Sequence, residues 1–246
     1  MTKDNFSKQA GAYSVYRPGY PDALYDFIVS HTSNRHAALD VATGNGQVAH
    51  TLSKYFDKVY ATDISARQIE NSMKAPNIEY AIASAEESGF EGKKFDLITV
   101  GQAAHWFNLP LFYDEVKRII KPGGLLALFG YKLPEIDAAS DNVIEDLYNG
   151  ILGPFWDPER KLVDEGYETI EFPFIKIPHP EYKMEYHWTY EQVLGFLGTW
   201  SAVQHYKNKL GNDPLEFISE KLKNSWGPVV IKKISFPMFL LAAKIT

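Results

Sequence analysis

The run "LDVATGNGQVA", residues 39–49, holds the first residues able to do chemistry: an aspartate, Asp40, in an apolar stretch, then a turn with Gly44 and Gly46. Gly44, Gly46 and Ala49 have the G-x-G-x-x-A spacing, and a second acidic residue, Asp63, follows nineteen positions after Gly44. Glycines so spaced let a backbone turn approach a ligand closely, and an acidic residue about twenty positions on can accept hydrogen bonds from ribose hydroxyls. Two ligands suit such a turn. A dinucleotide would set its pyrophosphate on bare N–H groups at the start of the following helix. Asp40 raises the electrostatic cost of that anion, whereas a ligand bearing an ammonium group is attracted to it.

S-adenosylmethionine is a ligand of the second kind, an adenosine joined through a sulfonium to a zwitterionic amino acid, with no phosphate. Asp40 leans the choice toward it, and a nicotinamide dinucleotide stays open as the alternative. Further along, Gln102, His105 and Trp106 follow the apolar run "FDLITV". Trp106 can offer its ring face to a cation or shape an acceptor pocket. His105, or His187 further on, can act as general base for a hydroxyl or amine acceptor, while a carboxylate acceptor needs none. Taken singly, Trp106 also reads as a core anchor and His105 as a hydrogen-bonded structural residue. Near the amino terminus, Tyr13, Tyr16 and Arg17 read as a lid, with Arg17 supplying a fork of donors for a carboxylate. No metal site is evident: cysteine is absent, and His179 and His187 do not have the spacing of a shared helix face.

These residues need elements to hold them. "HAALDVA", "KVYATD", "NIEYAIA", "FDLITV" and "LLALFGY" are short apolar strand candidates, separated by amphipathic stretches such as "VAHTLSKYF" and "LFYDEVKRII". Leu24, Phe27, Ile28 and His31 form a helical stripe before the first strand. Ser65 with Gln68, and Thr189 with Gln192, have capping-box spacing, and Asp213-Pro214 is a helix opening. Strand alternating with helix predicts an α/β protein with a mostly parallel sheet and helices on both faces. We divide the single domain into an amino-terminal lid (1–20), a cofactor-binding core (21–131), a substrate cap rich in helices and aromatics (132–226) and a closing pair of strands around Phe236-Pro237 (227–246).

The net charge is −6 and lysine and arginine are scattered, so a nucleic-acid partner is not expected. No apolar run is long enough to span a bilayer and no signal-peptide core opens the chain, which reads as cytoplasmic, a monomer or homodimer.

"LDVATGNGQ", "YATDIS", "ASAEES", "FDLITVGQAAHWF" and "IKPGGLLALFG" together resemble the ordered motifs of class I S-adenosylmethionine-dependent methyltransferases, over residues 6–131. "AAHWF" and the leading "FSKQAGAYSVYRPGYP" are similar to the small-molecule branch that includes trans-aconitate methyltransferase-like proteins. The resemblance implies a Rossmann-like, doubly wound sheet, S-adenosylmethionine as cofactor, S-adenosylhomocysteine as product, and a small-molecule acceptor. It implies that Ala42, Thr43, Gly44, Gly46 and Gln47 line the methionine end, Asp63 the ribose, and Ile64, Ala85 and Glu86 the adenine, with Gln102 beside them. The family's loop carries glycine where this chain has Ala42; a turn can hold the added methyl if φ there is negative, and we expect less room beside the methionine moiety rather than lost binding. An oxidoreductase using a nicotinamide cofactor and a non-catalytic S-adenosylmethionine-binding module remain the alternatives.

Overall fold

The computed structural model describes residues 17–246, so Tyr13 and Tyr16 lie outside the described residues, as does most of the expected lid. The chain enters as α1 (Asp22–Ser30) and then alternates strand with helix: β1 (Ala37–Val41), α2 (Gln47–Leu52), β2 (Lys58–Asp63), α3 (Ala66–Glu70), β3 (Ile78–Ile82) and β4 (Phe95–Gly101). After α4 (Leu109–Ile119) comes the long β5 (Ile120–Tyr131). These five strands are parallel and stand in the order β3-β2-β1-β4-β5. All five residues of β1 are buried, and β4 is buried from Phe95 to Val100, because helices cover both faces of the sheet. A fully buried Leu or Ile contributes roughly 1.5–3 kcal/mol relative to its exposed state, so apolar runs such as "AALDV" have no better place than the sheet centre. In α1 the buried face is Leu24, Tyr25, Ile28 and Val29, a slight rotation from the stripe read in the sequence.

Beyond β5 lie α5 (Ala138–Glu145), a π-helical turn (Asp146–Ile151), α6 (Arg160–Asp164), β6 (Lys183–Thr189), α7 (Tyr190–Gly198), α8 (Ser201–Leu210), α9 (Ser219–Trp226) and β7 (Ile231–Ile245). The seven-stranded sheet closes in the order β5-β7-β6, both new pairings antiparallel. The closing pair therefore differs from the one expected. Instead of two strands around Phe236-Pro237, one strand runs straight through, and its partner comes from inside the stretch read as cap. β7 pairs with β6 up to Pro237 and with β5 from Met238 onward. Proline donates no N–H, so it is tolerated where the strand changes partner, and its carbonyl still accepts from the Lys132 N–H at 2.8 Å.

The cap's aromatic residues are mostly core. Phe236 of β7 packs edge-on against Trp188 and Phe196, with ring centres 5.5 and 5.2 Å apart, and Tyr148, Trp200 and Trp226 belong to the same cluster. Thr189 caps α7 with the reciprocal hydrogen bonds its spacing implied. Among the described residues no helix is long and apolar enough to cross a membrane.

Candidate functional site

The glycine loop joins β1 to α2 at the carboxyl ends of β1 and β4, where the chain departs to opposite sides of the sheet and open α/β folds leave a crevice. Asp40 is 1% exposed and lies beneath this loop. Its carboxylate accepts from the hydroxyls of Thr43 and Thr99, the latter at 2.8 Å. Burial raises its pKa to about 6 against the opposing effect of those hydrogen bonds. Asp40 thus fixes Thr43 from below.

Ala42 has φ +52°, not the negative value expected for alanine. The reason is the direction of the next two N–H groups: Thr43 donates to the Thr62 carbonyl at 2.9 Å and Gly44 to the Asp63 carboxylate at 2.8 Å. Turning both toward β2 needs a left-handed residue before them, and the methyl of Ala42 carries that strain. Gly46 (φ +80°) opens α2, and a Cβ there would collide with the Tyr80 hydroxyl, so here glycine is needed on two counts.

Asp63 at the tip of β2 also accepts from the Ser65 N–H at 2.9 Å, bracing both loops that flank the strand. Ile64 follows it, exposed. Ala85 is buried in the cluster containing Val41, Ala103 and Ala104. Glu86 accepts from the Asn108 N–H at 2.9 Å, at the cap of α4.

Two adjoining cavities open over the strand ends. The first, about 450 Å³ of atom-free space including that open to solvent, has the loop residues Ala42, Thr43, Gly44 and Gln47 on one wall. Gly101 and Gln102, with Arg17, Tyr20 and Tyr131 beside them, add to the lining. Asp40, Gly46, Asp63, Ile64, Ala85 and Glu86 stand outside this lining. The second cavity, about 440 Å³ by the same measure, shares Arg17 and Gln102 with the first and adds His105, Trp106, Trp156, Arg160, Trp200 and Ser201.

Gln102 is the hinge between them. It has φ +56°, a strained value for a non-glycine residue, and its side-chain amide spans to β5, accepting from the Tyr131 N–H at 2.8 Å and donating to the Tyr131 carbonyl at 3.2 Å. Arg17 donates to the Tyr131 hydroxyl at 2.8 Å and to the Thr199 carbonyl at 3.3 Å, and its guanidinium lies 5.4 Å from the Phe196 ring centre. It therefore bridges β5 to the end of α7, spending part of its fork on the protein itself.

His105 is 7% exposed, with Nδ1 2.9 Å from the Tyr167 hydroxyl. Burial, helped by the nearby Arg160 charge, lowers its pKa to about 3, so the ring is neutral near pH 7. A pKa so lowered weakens His105 as a proton acceptor. His187, the other candidate base, is exposed on β6 and lines neither cavity.

Sequence reading missed Tyr167 and Arg160, and placed Trp156 and Trp200 only in a general cap. The signal for β6 was present: Met184 and Trp188 are buried and Lys183, Glu185 and His187 exposed, a period of two. No local signal marked Arg160, whose contact with the His105 region is made by folding.

Comparison with known proteins fits this geometry. Residues 39–128 match a family model described as a methyltransferase domain. A Dictyostelium discoideum protein provisionally named a methyltransferase is 34% identical over 98% of this chain and 95% of its own length. A solved structure from Anaeromyxobacter dehalogenans, provisionally described as a type II methyltransferase, is 36% identical, covers 94% of this chain and 98% of that one, and superposes with a TM-score of 0.85. A Saccharomyces cerevisiae protein described as an S-adenosylmethionine-dependent methyltransferase is 26% identical, over 53% of this chain and 48% of its own.

Proposed function

This chain belongs to the S-adenosylmethionine-dependent methyltransferase family, and we propose on that premise that it methylates a carboxylate oxygen of a small molecule held in the second cavity. Family membership removes the dinucleotide oxidoreductase as a reading.

The residues at the first cavity fit the cofactor. Its wall at Gly44 is bare backbone, with no atom within 4 Å of where a Cβ would stand, and Arg17 is the one cationic side chain among the described residues lining it. A pyrophosphate would find little there to neutralise it, whereas a phosphate-free nucleoside needs no such charge. Thr43, Gly44 and Gln47 would hold the amino-acid end, with Asp40 supplying negative potential from beneath, and Asp63 the ribose. Bound S-adenosylmethionine supplies an electrophilic methyl group on a sulfonium, with its own leaving group.

The chain's own residues then have two tasks: to orient the acceptor and to keep water away. The observation that carries the carboxylate reading is the absence of a competent base among the described residues lining the second cavity. They include no aspartate or glutamate, and His105 is held neutral with a low pKa. An alcohol or ammonium acceptor would have to lose a proton, but a carboxylate is already nucleophilic at pH 7. Arg17 and Arg160 give the cavity the charge to hold an anion. The likeness to the trans-aconitate methyltransferase branch points the same way.

The test is transfer of labelled methyl from S-adenosylmethionine to a panel of small carboxylic acids, alcohols and amines. Ester formation matched by S-adenosylhomocysteine release is expected with acids. Transfer confined to alcohols or amines would overturn the reading.

A further inference from the structure

Arg160, the first residue of α6, lines the second cavity and is absent from the lining of the first. Its side chain is 16% exposed. Nε donates to the Tyr148 hydroxyl at 2.9 Å and to Asp164 at 3.1 Å, which fixes the guanidinium by one edge. The guanidinium carbon also lies 5.0 Å from the Trp156 ring centre and 5.5 Å from that of Tyr148. The two terminal nitrogens make no hydrogen bond to any described residue. A mostly buried guanidinium fixed along one edge, with its other donors unspent, is a preorganised receptor for a planar anion, because its paired N–H groups match the two oxygens of a carboxylate.

The rest of the wall narrows the class. Trp106, Trp156 and Trp200 line the same space, and Trp156 and Trp200 are braced against each other with ring centres 5.6 Å apart. Indole faces and edges favour a flat conjugated body over a branched aliphatic one. Arg17, the other cation present, already serves Tyr131 and Thr199.

We propose that Arg160 is the specificity-determining residue of this cavity, gripping the carboxylate of an aromatic acid whose ring lies among the three tryptophans. The proposal rests on reading the second cavity as the acceptor site, and it adds a requirement that methyl transfer to a carboxylate does not impose.

The experiment is tryptophan fluorescence titration of the full chain, saturated with S-adenosylhomocysteine, using benzoate, benzamide and cyclohexanecarboxylate as probes. Benzoate is expected to bind, and each of the other two at least ~10-fold more weakly, one lacking charge and the other flatness. Arg160→Gln should weaken benzoate by ~10- to 100-fold with S-adenosylhomocysteine affinity unchanged, and Arg160→Lys, which keeps the charge but loses the fork, should fall between. Unaltered S-adenosylhomocysteine affinity in the lysine variant checks the fold if the glutamine variant is unstable. Benzoate that fails to bind, binds Arg160→Gln as tightly as the native chain, or binds no better than either comparison probe overturns the proposal. The two readings fail separately. Expected benzoate binding with no acid methylated sinks carboxylate methylation and leaves Arg160 its role, whereas acids methylated equally by Arg160→Gln sink this proposal and leave the other standing.

Discussion

The Asp63 carboxylate accepts a hydrogen bond from the backbone N–H of Gly44 at 2.8 Å, stitching the tip of β2 to the glycine loop of β1. Ser65 donates to the other oxygen of the same group, so one half-buried side chain holds the loops on both sides of the strand. Asp63→Ala removes these acceptors and, on the proposed reading of the site, the partner of the ribose hydroxyls. S-adenosylhomocysteine binding is expected to weaken by ~1–3 kcal/mol, measured by calorimetry. An unchanged affinity would take Asp63 out of the site.

Ala42 sits at φ +52°, where a Cβ is crowded by the following carbonyl. Ala42→Gly relieves that strain, against the greater backbone entropy of glycine in the unfolded chain. The net expectation is a gain of ~0.5–1 kcal/mol, or roughly 1–4 °C in Tm, read from chemical and thermal unfolding. Gly46→Ala is the contrasting variant: its φ of +80° and the Tyr80 ring beside it predict a loss. If Ala42→Gly lowers the midpoint instead, the loop does not hold the strain its dihedral implies.

Asp40 and His105 give stability opposite slopes with pH. The pKa of Asp40 rises from 3.8 to about 6 on folding, mainly through burial, so its native form binds a proton more readily than the unfolded chain. Its contribution is greatest at low pH and falls as pH rises through the window from about 3.8 to about 6. Asp40→Asn should flatten that fall, by on the order of 1–3 kcal/mol between pH 4 and 7, seen as a pH-dependent difference in denaturation midpoint. A difference that does not change with pH would show that Asp40 titrates normally.

For His105 the pKa drops from 6.5 to about 3, again mainly by burial, so the unfolded state binds the proton and stability grows as pH rises across that window. The same shift sets a kinetic expectation. A base contributing to the reaction would supply a factor of ~10²–10⁴, so His105→Gln should lower kcat/KM by less than ~10-fold. The native pH profile should also lack a limb near 6.5. A loss above a hundredfold, together with such a limb, would restore His105 as the base.

Much of the βα half, and one helix start beyond it, was legible in the sequence, for a physical reason. The alternation of strand and helix, the Ser65 and Thr189 caps and the glycine loop are written in residues no more than a few positions apart, and periodicity and cap chemistry act over that range. The sign of φ at Ala42 was not legible, because it depends on where β2 places Thr62 and Asp63 as partners for the loop's N–H groups. Nor was β6, whose alternation sits inside a stretch dominated by aromatic residues.

By itself, then, the sequence determined the βα core, the glycine loop after β1 and the two aspartates of β1 and β2. Tertiary structure alone decided that Asp40 works from beneath the loop, that Pro237 marks the change of strand partner, and that Arg160 approaches His105. Those outcomes turn on burial and on contacts between distant segments. A carboxylate's environment, a strand's second partner and a histidine's protonation exist only once the sheet has closed and excluded water.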